Sequence, residues 1–525
     1  FNLKFSTIIS AFFAKFLINI EPSAFAKLTT IDFLFLLHEA KYAASLSFPS
    51  TSFKKGGPHI LVSSPFSDST LTTSAPKSAN ICVAQGPARI RLKSRTFIPS
   101  KHVGLFFFVI LILKIKFTYT NIHDNYYKNN PQKNKCENKM NFSLTDEQKL
   151  LKNNVKNFVE KELFDYAKGL EEKDIPPSKE IIKKFSDLGL LGVNIPKKYG
   201  GLGMSHLDAV IVLEEIAKVS CALAFPVFES SFGPALAISN FGSEKMCKKI
   251  LPKVCSGDIV ISISMSEPNA GSALTDLKTK LICRDGRYYL NGTKRWCSGA
   301  GHADVYLVYC KMSDEIGSKG IGAVIIYKNQ KGFSFGKQEN LMGFRGVPSA
   351  DMYFDDVEVK KEDILITSGG FKKLMEAFDL ERCGNTTMSL ACAQSAFEFA
   401  LKYVQERKQF GKSLIDFQAV QIHLAEMKMK LDASRLLLYK AVVEAENDLP
   451  SIANSSIAKC YANEVSREIT GKAIQIVGGY GYSKSFPIEQ KFRDAWGWGI
   501  AGGAIDIQKI NIAAALVGKR FDQRK

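Results

Sequence analysis

The stretch ISISMSEPNAGSALTDLKTKLICRDGRYYLNGTKRWCSG, residues Ile261 to Gly299, decides how the rest of the chain is read. It opens on an apolar strand and breaks at Ser266-Glu267-Pro268-Asn269-Ala270-Gly271-Ser272. Pro268, Gly271 and the hydroxyls of Ser266 and Ser272 make a tight polar loop, which offers backbone N–H groups and small donors to a flat or anionic ligand. Lys278-Thr279-Lys280 follows, and Asp285-Gly286 is a hairpin signal. Tyr288-Tyr289-Leu290 then leads a second strand into Asn291-Gly292-Thr293-Lys294-Arg295-Trp296-Cys297-Ser298. Taken singly, each piece is no more than a turn. Their fixed order carries the information.

Around this stretch the chain changes character twice. Thr145-Asp146-Glu147-Gln148 is a capping box that opens a helix with apolar Leu150, Leu151, Val155, Phe158 and Val159. Pro196 to Gly203 forms a turn before a helix from Leu207. From Asp258 to about Ile366, β-branched and aromatic residues alternate, as in Val305 to Tyr309 and Ala323 to Tyr327. From Phe371 onward apolar-periodic helices return, for example Ala419 to Ala445 with Leu424, Met427, Leu431 and Leu438. Repeats and low-complexity runs are absent.

The first 139 residues read differently. All 11 methionines lie at or after Met140, and the chain begins at Phe1. Residues 1–139 hold 18 Lys+Arg against 6 Asp+Glu, whereas the rest holds 52 against 46. The net charge of +18 therefore says little about nucleic acid, and no nucleic-acid partner is expected. Short apolar patches at Ile8–Phe13, Ile31–Leu37 and Gly104–Leu113 are too brief to span a bilayer, so no membrane association is expected either. We read 1–139 as a non-native or disordered extension, upstream sequence translated in frame, with Met140 the start. The divisions expected are 1–139, a helical domain 140–257, a β-domain 258–366 and a helical domain 367–525.

From Met140 on, nine cysteines stand without a C-x-x-C pair, and His206, His302 and His423 are far apart. That pattern argues against a metal site and a disulfide framework, and fits a reducing cytoplasm. Cys297 is read as a small buried thiol.

The ordered signals of 261–299, with the helix–sheet–helix order of 140–525, resemble the acyl-CoA dehydrogenase flavoenzymes. The resemblance implies an α+β architecture: a helical N-terminal domain, a β-barrel-like middle domain and a C-terminal four-helix bundle. It implies FAD as cofactor, an acyl-CoA substrate, α,β-dehydrogenation to a 2,3-enoyl-CoA, electron-transfer flavoprotein as partner and a homotetramer. By the same resemblance Ser266 bonds the flavin ring edge, Trp296 packs on the ring, Ser298 lies near its reactive nitrogen, and Ser272 bonds phosphate-bearing parts of cofactor and substrate. Glu406 to Gly411 and Gln475 to Gly481 resemble segments that reach a neighbouring subunit's FAD. Arg407 would hold pyrophosphate, Phe410 the adenosine half, with Gln475, Gly478 and Gly479 close to the cofactor.

One departure stands out. The usual catalytic Glu of the loop after Arg493-Asp494-Ala495 falls on Gly502. Either the activity is lost or another carboxylate supplies the base. In isovaleryl-CoA and long-chain acyl-CoA dehydrogenases the base occupies a Leu-Glu-Arg position, and Leu380-Glu381-Arg382 matches it, with Asp379 and Arg382 at CoA-holding positions. Burial among Cys383, Gly384, Met388 and Leu390 would raise the proton affinity of Glu381. A solvated Glu381 paired with Arg382 or Lys373 is the plainer alternative, but with the usual position vacated at Gly502 we read Glu381 as the base. Gly502 still offers a backbone N–H to a thioester carbonyl, while Ala504 lacks a hydroxyl usual there. The glycine-rich loop leaves volume for a branched or bulky acyl group. Two other readings stay open: non-oxidative elimination on an acyl-CoA, and a non-catalytic FAD- or CoA-binding protein.

Overall fold

The computed structural model describes residues 143–521, Asn447 excepted, and the segment 1–139 with its apolar patches lies outside the described residues. The first helices form where local signals are strongest. The Thr145 hydroxyl accepts from Gln148 N–H at 3.2 Å and the Gln148 side chain accepts from Thr145 N–H at 3.1 Å, opening α1 (Asp146–Phe158). That helix runs through a π turn, Val159–Leu163, into α2 (Phe164–Lys173), and α3 (Lys179–Asp187) follows. A second capping box, Ser205 with Asp208, opens α4 (His206–Val219). The helices α5 (Cys221–Ser231), α6 (Pro234–Phe241) and α7 (Glu244–Cys255) complete the first helical layer. Every residue of α5 is buried. The stretch Cys221–Phe241 is long and apolar enough to cross a membrane by composition, yet its most apolar 18 residues are all buried inside the protein.

Eight strands follow: β1 (Ile261–Ser264), β2 (Lys280–Arg284), β3 (Arg287–Ser298), β4 (Val305–Lys311), β5 (Ile321–Tyr327), β6 (Phe333–Phe335), β7 (Ser349–Val359) and β8 (Ile364–Ile366). They form one sheet in the order β6-β7-β3-β2-β4-β5-β8, with β1 parallel to β4. The β2–β3 hairpin turns on Asp285 and Gly286, both at positive φ (49° and 76°), as a two-residue primed turn requires. Strand β4 shows why the sheet is a middle layer. Val305, Leu307 and Tyr309 point into the core shared with the helices, whereas Tyr306, Val308 and Cys310 point into a second core with Leu290, Met352, Phe354 and Val357. A strand buried on both faces reads as a continuous apolar run.

The C-terminal helices are α8 (Phe371–Glu406), α9 (Gln418–Glu444), α10 (Ile452–Val477), α11 (Ile488–Trp498) and α12 (Ile505–Val517). Between α8 and α9 lies a small hairpin, β9 (Lys408–Gln409) with β10 (Lys412–Ser413). Helix α8 is the spine, buried almost continuously from Ala377 to Ala393. It lies so close to α5 that a Cβ on Gly384 would stand 2.7 Å from Phe228 and Phe232. Glycine is required there by space.

Candidate functional site

The polar loop after β1 is held by an internal strut that sequence reasoning did not assign. Lys294 on β3, fully buried, donates to Glu267 Oε1 at 2.9 Å and to the Met265 carbonyl at 2.9 Å. Glu267 also accepts from the N–H groups of Lys278 (2.6 Å) and Thr279 (2.9 Å). Burial opposes the Glu267 charge, but Lys294 and these donors hold its carboxyl below the ordinary value. Gly292, at φ 143°, lets β3 pass Thr279, because a Cβ there would lie 2.6 Å from Thr279 Cα. The three signals of 261–299 are therefore one interlocked unit.

This unit brings Ser266, Trp296 and Ser298 together. Ser266 is half-buried and its carbonyl accepts from Arg295 N–H at 2.9 Å. Trp296 takes a positive φ of 60° and presents its indole to the surface, 53% exposed, with the Arg295 guanidinium 4.4 Å from the ring centroid. Ser298 is half-buried, and its carbonyl accepts from the Ser262 hydroxyl. Ser272 sits exposed on the same loop. Cys297 is buried, and burial pushes its thiol up to about 11, so it is an inert packing group.

A second group gathers near the end of α8. Arg407 and Gly479 line a surface groove of about 750 Å³ with Tyr403, Gln409, Tyr480 and Phe486. Gln475 is exposed on the last turns of α10. Gly478 has φ 68°, and nothing lies within 4 Å of a Cβ on Gly478 or Gly479. Phe410, at the β9–β10 turn with φ 53°, is 93% exposed. Its only ring contact among the described residues is edge-on with Phe417, centroids 6.2 Å apart, which leaves most of the ring uncovered.

The third group surrounds Glu381 on α8. Glu381 is 8% exposed, and among the described residues neither a hydrogen bond nor an ion pair reaches its carboxyl. The alternative, a solvated charge paired with Arg382 or Lys373, is not seen among the described residues. Arg382 instead pairs with Asp379, which also accepts from the Ser455 hydroxyl at 2.7 Å. Burial, only partly opposed by Arg382 and Lys459, pushes the Glu381 carboxyl up to about 8.

Two residues of this group escaped sequence reasoning. Glu229 on α5 is 2% exposed, and its Oε2 has no hydrogen-bond partner. Burial, then the facing Glu381, drives its carboxyl well above the ordinary value. It is the one charged residue between Cys221 and Phe241, which was the available signal. Lys459 on α10 is fully buried and donates to Trp498 O (3.1 Å), Ala501 O (2.9 Å) and Asn385 Oδ1 (3.2 Å). Burial and the Arg382 charge press its ammonium down to about 7. Gly502 has φ 67°, and a Cβ there would meet Asn385 Nδ2 at 3.3 Å and Lys459 Cε at 3.6 Å.

The fold also juxtaposes Cys221, Cys392 and Asp494 with ligand atoms within 4.8 Å of one another, although nothing in the sequence spacing brings them together. Asp494 Oδ1 is already taken by Phe344 N–H at 2.7 Å.

Three family models match in series. Acyl-CoA dehydrogenase N-terminal domain covers 145–258, middle domain 262–357 and C-terminal domain 368–517. Among curated relatives, 3-sulfinopropanoyl-CoA desulfinase of Cupriavidus necator is 34% identical over 73% of this chain and 98% of its own length. The Caffeyl-CoA reductase-Etf complex subunit CarC of Acetobacterium woodii is 35% identical over 72% of this chain and 100% of its own. The solved butyryl-CoA dehydrogenase of Megasphaera elsdenii superposes with a TM-score of 0.70 at 34% identity, covering 72% of this chain and 100% of that one. The chain belongs to the acyl-CoA dehydrogenase family. It is an FAD-dependent oxidoreductase acting on an acyl-CoA.

The residues present fit such a cofactor. An exposed indole and half-buried hydroxyls suit a flat heteroaromatic ring, and a groove holding Arg407 beside open glycine backbone suits a pyrophosphate.

Proposed function

We propose that the protein catalyses α,β-dehydrogenation of an acyl-CoA thioester to the 2,3-enoyl-CoA, with Glu381 as the base. The observation that carries this reading is the buried Glu381 carboxyl without a hydrogen bond or ion pair among the described residues, on the α8 turn beside Asp379 and Arg382. A carboxyl so placed holds a proton with the affinity a base needs near neutral pH. Bound FAD supplies the two-electron acceptor. Glu381 takes the α-proton, and the Gly502 N–H, for which no acceptor exists among the described residues, polarises the thioester carbonyl. Ser266, Ser272, Trp296 and Ser298 would hold the flavin and nearby phosphate-bearing parts. Arg407, Phe410, Gln475, Gly478 and Gly479 would complete a neighbouring subunit's FAD site, and Asp379 and Arg382 would serve the CoA portion.

That arrangement needs an oligomer, and we assign a homotetramer. Helix α9 supports it: Ile422, Met429, Leu436 and Val443 recur every seven residues and are each at least 44% exposed, an apolar stripe fit for a second copy. Electron-transfer flavoprotein is the proposed electron partner, in keeping with the Etf complex of the CarC relative. The nine free cysteines among the described residues suit a cytoplasmic location, and we assign no nucleic-acid or membrane partner.

The test is anaerobic mixing of the purified holoenzyme with a panel of saturated acyl-CoAs, watching the flavin absorbance. Bleaching by one of them supports the reading, and its abolition in Glu381→Gln identifies the base. A second reading, elimination of a β-substituent without oxidation, is favoured by the desulfinase relative. It is the outcome if saturated acyl-CoAs never bleach the flavin but a β-substituent is released.

A further inference from the structure

Gly502 N–H belongs to the same peptide unit as the Ala501 carbonyl. All peptides among the described residues are trans, so this N–H points directly away from Ala501 O. That oxygen is gripped from two helices, by Lys459 Nζ of α10 at 2.9 Å and Asn385 Nδ2 of α8 at 3.2 Å. The same two side chains hold Trp498 O, at 3.1 and 3.3 Å. Asn463 Nδ2 donates to Asn385 Oδ1 at 3.1 Å, which fixes the amide's orientation. A lysine with no exposed surface, satisfied by the last carbonyl of α11, one loop carbonyl and one amide, is more than a cap for α11. Cationic and amide donors on a peptide oxygen also draw electrons through the unit and strengthen the N–H on its far side.

We propose that Lys459 and Asn385 form a clamp that aims and polarises the Gly502 N–H toward the substrate's thioester carbonyl, making both positioning residues for proton abstraction. The clamp rests on the proposed function, in which that N–H binds the carbonyl. It explains how a glycine loop at positive φ, open to many conformations, holds one donor direction with no side chain of its own at position 502. Gly502 also has no protein acceptor among the described residues, leaving its donor for the ligand.

The test uses the holoenzyme of the full chain and the enoyl-CoA product of whichever acyl-CoA bleaches the flavin fastest, labelled with ¹³C at the thioester carbonyl. Infrared spectroscopy reads the carbonyl stretch, which falls in frequency as the hydrogen bond strengthens. In the wild type the band should lie below that of the free ligand. In Lys459→Met it should return toward the free value, with the bleaching rate down roughly tenfold or more and ligand affinity changed far less. Asn385→Leu, which keeps Lys459, should give a smaller shift in the same direction and stands in if Lys459→Met fails to fold. Ser466→Ala, which removes a 2.7 Å bond to Ser389 O in the same α8–α10 interface, should leave the band where it was. If both clamp variants shift the band as fully as wild type, the clamp is overturned and the oxyanion role of Gly502 survives. A wild-type band at the free position overturns both.

Discussion

Replacing Glu381 by Gln removes one proton site from a dry pocket while keeping its shape, and the structure sets how large the consequences are. Burial raises the carboxyl from 4.5 to about 8. The groups facing it are Glu229 from α5, Tyr309 from β4, Arg382 on its own helix and Lys459 from α10. A shift of this size corresponds to roughly 5 kcal/mol favouring the protonated form in the folded state. Below pH 4.5 the group is protonated in both folded and unfolded chains, so wild type and Glu381→Gln should be about equally stable. Between pH 4.5 and 8 the unfolded chain ionises and the folded one does not. Wild type therefore loses stability relative to Glu381→Gln as pH rises, by up to about 5 kcal/mol above pH 8.

The activity should move the opposite way. Only ionised Glu381 can accept the α-proton, so at pH 7 about a tenth of the sites have the base ready, and the bleaching rate should climb about tenfold per unit up to about pH 7, then flatten toward 8 as Lys459 of the clamp loses its proton. Glu381→Gln should lose at least about a hundredfold at the plateau while still shifting the flavin spectrum on binding ligand. Paired stopped-flow bleaching and thermal melts between pH 5 and 9 read both effects. A melting difference that does not grow with pH would refute the buried-carboxyl argument, and wild-type bleaching in the variant would refute the base.

Arg407→Ala should weaken FAD retention on gel filtration, whereas full occupancy in a stable monomeric variant would remove Arg407 from a shared site. Glu267→Gln leaves the fully buried Lys294 ammonium without its carboxylate, a break worth about 3–5 kcal/mol in chemical denaturation; an unchanged midpoint would deny the strut. Gly292→Ala should destabilise by at least about 1–3 kcal/mol, since its φ of 143° and the 2.6 Å approach to Thr279 Cα leave a methyl no room. Residues 140–525 expressed alone should give a yellow, active protein, because every proposed site residue lies within them; a colourless product would show that the earlier residues matter.

What was legible in the sequence was what is local or ordered along the chain. Capping at Thr145, the Asp285-Gly286 turn and the apolar runs of β4 and β5 each declare themselves within a few residues. The ordered signals of 261–299 pointed to the right family, but their physical basis was invisible. Glu267, Thr279, Gly292 and Lys294 read as separate fragments until the fold closes them into one buried ion pair and one close backbone crossing. The surroundings of Glu381 were less legible still. Glu229 lies 152 positions before it and Lys459 78 positions after it, and neither sits in a recognisable pattern. A charged residue in an apolar or small-residue run marks a place where folding must either neutralise the charge or use it. In this chain it does both. Lys294 is spent on the strut and Lys459 on the carbonyls before Gly502, while Glu381 and Glu229 are buried without a cation bonded to either. Around Glu381, then, the nearby buried cation is bonded to backbone carbonyls and the two carboxyls carry no ion pair, which leaves Glu381 free to take up a proton.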